Sequence, residues 1–486
     1  MLKPKSTNYM AESLRQKTFK GTIWSSLERF SVQGIQFIVM VIMARILTPE
    51  DYGLVGMVTI FIAISQSLID SGFSQALIRK QDRTEIDNST VFYFNIVVGF
   101  ILYLILYFSA PIIADFYGEP LLINITRVIG LGLIFNSLAV VQRALLTLNL
   151  DFKTQAKATL IGSIVSGIVG IVLAYSGCGV WSIVVQQILN LALITIILWL
   201  LSKWKPLVAY SWVSFRELFG FGSKLMISGL IEVIYRNVYL IVIGKFFKAN
   251  DLGYYTRAHQ FSDFASSNMT GIFQRVSYPV LCTIQDDDDR LRDVYRKLLK
   301  MSAFVVFPML MILAAISRPL IITFLTDKWL FASILLIPLC FSSMWYPIHA
   351  LNLNLLQVKG RSDLYLRLEI IKKIVGVIII IITIPMGLQA MCWGSVVSSM
   401  IALIINTFYT GKLIRLGFLL QMKDLFPTLI LSVSVGALVF TTINQISLNS
   451  LILLLIGTIE GVVCYALLAK VFRFSEFNEF ISLIKK

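Results

Sequence analysis

The sequence carries little charge. Only 14% of its 486 residues are Asp, Glu, Lys or Arg, and 57% are apolar, whereas soluble proteins carry about 25% charged and roughly 45–50% apolar residues. This balance excludes an ordinary soluble protein. Since one membrane span needs about 20 mostly apolar residues, the mean hydropathy of +0.81 over the whole chain indicates many spans.

Cysteine pairs and common enzyme motifs are also missing. The five cysteines are odd in number and form no C-x-x-C pair, which argues against a disulfide framework and a metal site. The sequence has no G-x-x-x-x-G-K-[ST] loop for ATP, no G-x-S-x-G elbow and no metal-spaced His/Cys cluster. We therefore expect no cofactor, and we expect transport to be driven by an ion gradient, of H⁺ or Na⁺, or by substrate flux.

Long hydrophilic loops are absent as well. The connections between apolar stretches are too short to hold a soluble catalytic domain, so we expect the protein not to be an enzyme. The acidic run Asp286 to Asp289 resembles an aspartate-rich metal motif, but Arg290, Arg292 and Arg296 follow it closely. This pattern favours a solvated, charge-balanced loop.

Fourteen apolar stretches are long enough to cross a bilayer, so the predicted fold class is all-α integral membrane. The most polar of them, at 258–284 and 366–386, are expected to face a protein interior or a watery cavity. In chain order, spans 1 to 14 are predicted at 21–46, 53–72, 91–113, 121–143, 157–176, 180–201, 217–244, 258–284, 301–324, 331–356, 366–386, 388–411, 426–444 and 450–471.

Basic residues are distributed unevenly between the two membrane faces. If both termini lie on one side, the segments on that side, counted together with the adjoining span ends, hold 29 Lys and Arg residues, and those on the other side hold 6. By the positive-inside rule, both termini are predicted to be cytoplasmic. The net charge of +15 thus records orientation rather than nucleic-acid binding. The polar residues 1–20 show no cleavage site, so the first span is expected to act as its own insertion signal.

The two halves of the sequence align at an offset near 200. The segment from Gly21 matches the segment from Gly222, and the tripeptide DYG at 51–53 matches DLG at 251–253. We predict two six-helix lobes related by a parallel repeat, an arrangement suited to alternating access around a site at their shared midplane. The predicted divisions are a cytoplasmic N-terminal segment 1–20, an N-lobe 21–201, a cytoplasmic linker 202–216, a C-lobe 217–411, helices 13 and 14 at 426–471 and a cytoplasmic tail 472–486.

Span 1 and its repeat partner, span 7, both contain charges. Span 1 has Glu28 and Arg29, and span 7 has Glu232 and Arg236 in the favourable i,i+4 order for an ion pair. Such charges cost at least a few kcal/mol in a bilayer unless a partner or a watery cavity receives them. One interpretation is a pair of related polar patches that line a cavity. The other is structural bridges near helix ends, with arginines that reach the headgroups.

Span 8 carries the densest set of polar residues. His259 and Asp263 lie one turn apart, and Arg275 follows further along. A His–Asp pair is suited to bind a proton or a cation, and the alternative is a water-lined helix without proton chemistry. Arg127 in span 4 is a further candidate to line a cavity.

Four segments carry a family resemblance: SLRQKTFKGTIWSSLERF from Ser13, ARILTPEDYGLVGM from Ala44, LIDSGFSQALIRKQ from Leu68 and IQDDDDRLRDVYRKLL from Ile284. In these segments the chain resembles the Wzx-type polysaccharide flippases, especially the branch that exports colanic acid, O-antigen or teichuronic acid units. This family belongs to the multidrug/oligosaccharidyl-lipid/polysaccharide exporter superfamily. The resemblance covers nearly the whole chain, and ARILTPEDYG is its most specific part.

The resemblance implies a flippase that moves undecaprenyl-pyrophosphate-linked oligosaccharide across the bacterial inner membrane, next to membrane lipids and with a polysaccharide polymerase and chain-length machinery as partners. In such flippases, cavity arginines on helices 1, 2 and 8 are held to bind the pyrophosphate. Arg29 and Arg275 match helices 1 and 8, but span 2 has no basic residue. Arg236 and Arg127 are the candidates to replace the missing one.

Two other functions compete with this interpretation. A cation-coupled small-molecule or multidrug exporter of the same superfamily would be favoured by a cavity rich in acids and free of arginines, which this sequence does not predict. A membrane-embedded polymerase or glycosyltransferase would need a large periplasmic loop with catalytic side chains, and the sequence has no such loop.

Overall fold

The chain folds almost entirely into α-helices. The computed structural model describes residues 31–70 and 72–484, and no strand occurs in those ranges. Hydrocarbon offers no partner for a backbone N–H or C=O group, and a helix pairs these groups within one segment. The helices of the first half are α1 Ser31–Ile46, α2 Pro49–Asp70, α3 Phe73–Arg79, α4 Glu85–Tyr117, α5 Leu122–Leu148, α6 Phe152–Tyr175 and α7 Val180–Leu201.

The second half continues the same pattern and adds short 3₁₀ turns at Asp327–Trp329 and Ile384–Met386. Its helices are α8 Trp212–Arg236, α9 Val238–Phe246, α10 Ala249–Thr283, α11 Asp288–Ala315, α12 Ser317–Leu325, α13 Leu330–Ser343, α14 Tyr346–Val358, α15 Ser362–Thr383, α16 Leu388–Ile414, α17 Phe418–Gln445, α18 Ser450–Val471 and α19 Ser475–Ile484.

Every predicted span falls on helix within the described residues. Eleven helical segments are long and apolar enough to cross a membrane. The remaining three predicted spans are α1, of which Ser31–Ile46 is described, and the two polar stretches α10 and α15. The predicted fold class is therefore confirmed, and the protein is a multi-pass membrane protein.

Helix α15 shows how a charged span is accommodated. Lys372 and Glu369 form an ion pair with a nitrogen–oxygen distance of 2.5 Å, and their side chains are only 13% and 22% exposed. Ile370 and Ile374 on another face of the helix are exposed, as expected for a surface in contact with lipid. The two charges neutralise each other on the protected face, which lowers the cost of placing them in the membrane.

Three predicted spans are each divided into two helices. Span 7 consists of α8 and α9 on either side of Asn237, span 9 consists of α11 and α12 around Ile316, and span 10 consists of α13 and α14. Hydropathy detects apolar length and does not register a change of helix direction. The short helices α3 and α19 were not predicted either, since each is shorter than a membrane span.

The helices group into two compact units, one ending at Gly253 and the other beginning at Tyr254. The first unit contains α1 to α9 and the first residues of α10. The repeat in the sequence instead suggests a division at the linker 202–216. The packing of the helices thus divides the chain after Gly253, whereas the sequence repeat divides it at 202–216. The two lobes inferred from the repeat stay a prediction.

Within the first unit, the start of α8 packs against α3 and α4. The ring of Phe73 lies 6.1 Å from that of Phe215 and 4.9 Å from that of Phe94. Lys80 donates to Glu217 of α8 at 2.9 Å and to Asp87 of α4 at 3.3 Å. The hydrogen bond to Glu217 raises the pKa of Lys80, although part of this effect is offset by desolvation.

The repeat is visible in the caps of two helices. At the start of α2, the backbone N–H of Thr48 donates to Asp51 Oδ2 at 2.8 Å. At the start of α10, the backbone N–H of Lys248 donates to Asp251 Oδ2 at 3.2 Å. The two aspartates are 200 residues apart in sequence and satisfy equivalent backbone groups at a helix N-terminus.

The glycines of the same tripeptides make a reciprocal contact. A Cβ atom added to Gly53 would lie 1.8 Å from the carbonyl oxygen of Ala249, and one added to Gly253 would lie 1.9 Å from the carbonyl oxygen of Pro49. Only a residue without a side chain allows the backbones to approach this closely. The first turns of α2 and α10 therefore touch through two repeat-related glycines, which we call the glycine contact.

Replacing Gly53 with Ala should force this contact apart. The added methyl group overlaps a carbonyl oxygen that belongs to a helix backbone, so we expect a loss of about 1–3 kcal/mol in stability, measured as a lower midpoint of thermal unfolding. Gly253→Ala should have a similar effect. Gly34→Ala is the matched control, because a Cβ at Gly34 meets no atom within 4 Å. Equal midpoints for all three variants would contradict the assignment.

Candidate functional site

The break in span 7 places polar groups inside an apolar segment. Helix α8 ends at Arg236, and Asn237 adopts φ −102° and ψ 5° before α9 begins. The side-chain amide of Asn237 donates to the carbonyl oxygen of Val233 at 2.8 Å, and the backbone N–H of Asn237 donates to the same oxygen at 3.2 Å. Discontinuous helices of this kind supply binding sites in transporters.

Arg236 lies directly at this break and is exposed. No carboxylate of the described residues lies within the 4 Å of an ion pair, so the expected bridge between Glu232 and Arg236 is not formed. Glu232 is exposed as well. A cationic side chain in a membrane span without a protein counter-ion needs water or an anionic ligand.

Helix α10 carries the predicted polar residues of span 8 on one continuous helix. The ring of His259 lies 5.6 Å from that of Tyr255, one turn earlier. Asp263 is half-buried and forms no ion pair with His259. Arg275 is exposed, and the described part of the chain offers it no carboxylate within 4 Å. Arg275 thus matches Arg236 in having a free charge.

Arg127 is engaged differently. Its Nε donates to the carbonyl oxygen of Tyr107 at 3.4 Å, and its guanidinium lies 4.4 Å from the centroid of the Tyr107 ring. A cation over an aromatic face is stabilised by about 0.5–2 kcal/mol. Arg127 therefore joins α5 to α4, and its remaining N–H donors are the ones that could contact a ligand.

A fifth arginine belongs to this set and was not predicted. Arg143 Nη1 donates to Asn136 Oδ1 at 3.2 Å, both on α5. Asp70 at the end of α2 lies beside Asn136 and interacts electrostatically with Arg143. Asp70 keeps surface that water can reach although protein atoms surround it, as expected at the edge of a cavity. The three side chains form one polar cluster between α2 and α5.

Arg143 is the last residue of predicted span 4, at the point where apolar character fades. In the structure α5 continues to Leu148, and α6 starts only where Asp151 accepts a hydrogen bond from the backbone of Thr154 at 3.1 Å. Asp151 was the available signal, since Asp is a preferred N-cap residue. Asp70, which comes from α2, is the charged partner of Arg143 in this cluster.

Several polar residues of the second unit are paired with each other. His349 of α14 contacts Ser399 Oγ at 3.0 Å through Nε2 and Asn406 Nδ2 at 3.2 Å through Nδ1. Asn352 and Gln421 exchange two hydrogen bonds of 3.1 Å. These bonds join α14 to α16 and α17. Their role is to hold helices together, a common use of amides inside membranes.

Two predicted site residues, Glu28 and Arg29, lie outside the described residues. The acidic run is used structurally: Asp287 caps α11, Asp288 pairs with Lys359 at 2.6 Å, and Asp289 pairs with Arg292 at 3.1 Å. Within residues 31–70 and 72–484, no group of three or more His, Cys, Asp or Glu side chains is placed to hold a metal ion.

Known proteins are similar to this chain in sequence and in fold. Residues 42–334 match the family described as polysaccharide biosynthesis protein. The chain is 24% identical over 462 residues to the teichuronic acid biosynthesis protein TuaB of Bacillus subtilis, an alignment that covers 94% of this chain and 96% of the relative. It is also 24% identical to the lipopolysaccharide biosynthesis protein WzxC of Escherichia coli, over 81% of this chain and 80% of the relative.

Among solved structures, the fold is similar to that of the lipid II flippase MurJ in an inward closed conformation. The TM-score is 0.76 at 17% identity, and the match covers 94% of this chain and all of the other. An inward-facing multidrug resistance transporter of the MATE family gives a TM-score of 0.64 at 16% identity, over 78% of this chain and 94% of the other. The architecture is thus shared by two kinds of transporter.

The cluster of Asp70, Asn136 and Arg143 predicts a coupling between charges. Arg143→Gln removes the cation and leaves Asp70 without its counter-charge, so the variant should lose about 1–3 kcal/mol of stability. The double variant Asp70→Asn, Arg143→Gln should recover most of this loss, because both charges are then gone. A double-mutant cycle on thermal unfolding measures the coupling. Asp289→Asn, on a side chain that is 86% exposed, is the control. If the stability losses of the two single variants simply add up in the double variant, Asp70 and Arg143 do not interact as proposed.

Proposed function

Because the chain belongs to the polysaccharide biosynthesis protein family, we propose that it is a flippase for undecaprenyl-pyrophosphate-linked oligosaccharide in the bacterial inner membrane. The units would serve O-antigen, capsule or exopolysaccharide synthesis. Similarity to the teichuronic acid biosynthesis protein TuaB and to the lipopolysaccharide biosynthesis protein WzxC supports this substrate class, and the similarity in fold to a lipid II flippase supports lipid flipping. We propose no catalytic activity for the chain.

The substrate poses one main physical problem. A pyrophosphate carries two to three negative charges and cannot enter hydrocarbon without its counter-charges, since even one charge costs several kcal/mol or more there. The polyprenyl tail can stay in lipid during the passage. The protein must therefore supply cations along a wet path, and the planar guanidinium of arginine suits phosphate oxygens best.

One observation carries the assignment of the site. Arg236 and Arg275 are exposed and have no ion-pair partner among the described residues, although each belongs to a membrane span. We propose that they bind the pyrophosphate. Arg127 and Arg143 are partly occupied by Tyr107 and by Asn136, so we assign them secondary contacts. Arg29 stays in the proposal on the family resemblance alone.

The glycine contact supports alternating access. With both termini in the cytoplasm, the first turns of α2 and α10 lie on the periplasmic side. Their close approach at Gly53 and Gly253 then closes that side of the first unit. We propose that this contact opens when substrate leaves toward the periplasm and closes again for the next cycle. Backbone contacts without side chains are suited to repeated separation.

Acidic residues are the proposed route for ion coupling. Asp263 is half-buried and without an ion pair in the described chain, so it is the first candidate to take up H⁺ or Na⁺. Glu232, His259 and Glu28 are the other candidates. A polysaccharide polymerase and chain-length machinery would consume the exported units.

Arg236→Ala and Arg275→Ala are each expected to reduce surface polysaccharide at least tenfold at normal protein level. Removing a charge-assisted hydrogen bond to phosphate costs about 1.5–3 kcal/mol, which corresponds to about one to two powers of ten. The measurement is polymer on cells whose export depends on this protein, together with immunoblots of the membrane fraction.

Arg290→Ala is the matched control, because Arg290 is an exposed arginine next to the acidic run. Arg236→Lys should keep part of the activity, because lysine retains the positive charge but lacks the planar guanidinium that can donate two parallel hydrogen bonds to phosphate. Unchanged polymer in both alanine variants would refute the proposed contacts.

A further inference from the structure

A cavity of about 710 Å³ lies among α11, α17, α18 and α19 in the second compact unit. Most of its wall is apolar and includes Pro427, Leu431 and Leu468, whereas Lys300 and Glu476 stand at a polar end. A second cavity of about 270 Å³ shares Lys300 and Glu476 and is otherwise lined mainly by charged residues. The larger cavity is thus mainly apolar, and the smaller cavity next to it is mainly charged.

The polar end coincides with a membrane interface. Lys300, Asp424 and Glu476 each lie within five residues of the end of a predicted apolar span, and all three are on the side of the termini. Around the cavity, Ile430 and Phe472 are 50% and 67% exposed, as expected for side chains that face lipid. The apolar body therefore opens toward one leaflet of the bilayer.

Glu476 is the unusual residue of this cavity. It is only 8% exposed, and its carboxylate accepts a hydrogen bond of 3.1 Å from the hydroxyl of the adjacent Ser475. No Lys, Arg or His of the described chain lies within 4 Å of its carboxylate. Its place in the first turn of α19 favours a negative charge, but a buried carboxylate without a cation remains costly.

The neighbouring cation is available to another anion. Arg296 binds Asp424 with two bonds of 2.7 Å, which satisfies that carboxylate. Lys300 lies further from Asp424, at 3.7 Å, and so keeps donors for a second acceptor. Among the described residues, the polar end thus presents a buried carboxylate without an ion pair, Glu476, and a lysine with available donors, Lys300, beside an apolar space.

We propose that this cavity binds a membrane phospholipid with a primary ammonium headgroup, such as phosphatidylethanolamine. The ammonium would pair with Glu476, the phosphate with Lys300, and an acyl chain would lie against Leu431 and Leu468. An anionic phospholipid lacks the cation that Glu476 requires. A polyprenyl pyrophosphate lacks it too, so this site is separate from transport and does not depend on the proposed function.

The test compares two lipids that differ only in headgroup. Purified full-length protein is titrated with phosphatidylethanolamine or phosphatidylglycerol of identical chains, and bound lipid is counted by native mass spectrometry. Wild-type protein should prefer phosphatidylethanolamine, and Glu476→Gln should lower its affinity for that lipid about tenfold or more. Asp289→Asn should keep the preference, because Asp289 lies outside the cavity.

Two further variants test the contact with the lipid phosphate and the contact with the acyl chain separately. Lys300→Gln should weaken both lipids alike, because both carry a phosphate. Ser434→Trp should weaken both by filling the cavity, which Ser434 lines. Each variant is first checked for an unchanged elution profile. Equal binding of the two lipids by wild-type protein, a preference that survives in Glu476→Gln, or a polyprenyl phosphate as the bound species would each overturn the proposal.

Discussion

A charge inside a bilayer needs an opposite charge, a hydrogen-bond partner or water. The charged side chains of the predicted spans meet this requirement in different ways. Lys372 pairs with Glu369 on one protected face. Arg127 is covered by the ring of Tyr107, and Arg143 is held by Asn136. Arg236 and Arg275 have no such partner in the described chain. Charges that the protein leaves unpaired are the ones available to an anionic substrate.

The need of a buried charge for a partner also underlies the proposed binding of a phospholipid at Glu476. Among the described residues, no cation pairs with the buried Glu476 and no carboxylate pairs with the exposed Arg236. We propose an ammonium headgroup as the partner of Glu476 and a pyrophosphate as the partner of Arg236.

Much of the fold could be predicted from the sequence, because apolar length alone fixes the spans. The repeat also predicted a local detail, since the aspartates of DYG and DLG cap equivalent helices and their glycines make one reciprocal contact. The break at Asn237 could not be predicted, because hydropathy reports apolar length and not the interruption of a helix. Arg143 was missed because α5 extends past the end of its apolar stretch. Partners such as Asp70 come from another helix, and a single sequence does not reveal which helices meet.

Our central proposal is that Arg236 and Arg275 bind a pyrophosphate while it crosses the membrane. The most direct test reconstitutes the purified protein in liposomes with a lipid-linked oligosaccharide and follows the transfer of its headgroup between leaflets. The account predicts transfer by wild-type protein and little or none by the Arg236→Ala, Arg275→Ala double variant. Export of small cationic drugs without any movement of the lipid-linked sugar would contradict it and would favour the exporter alternative.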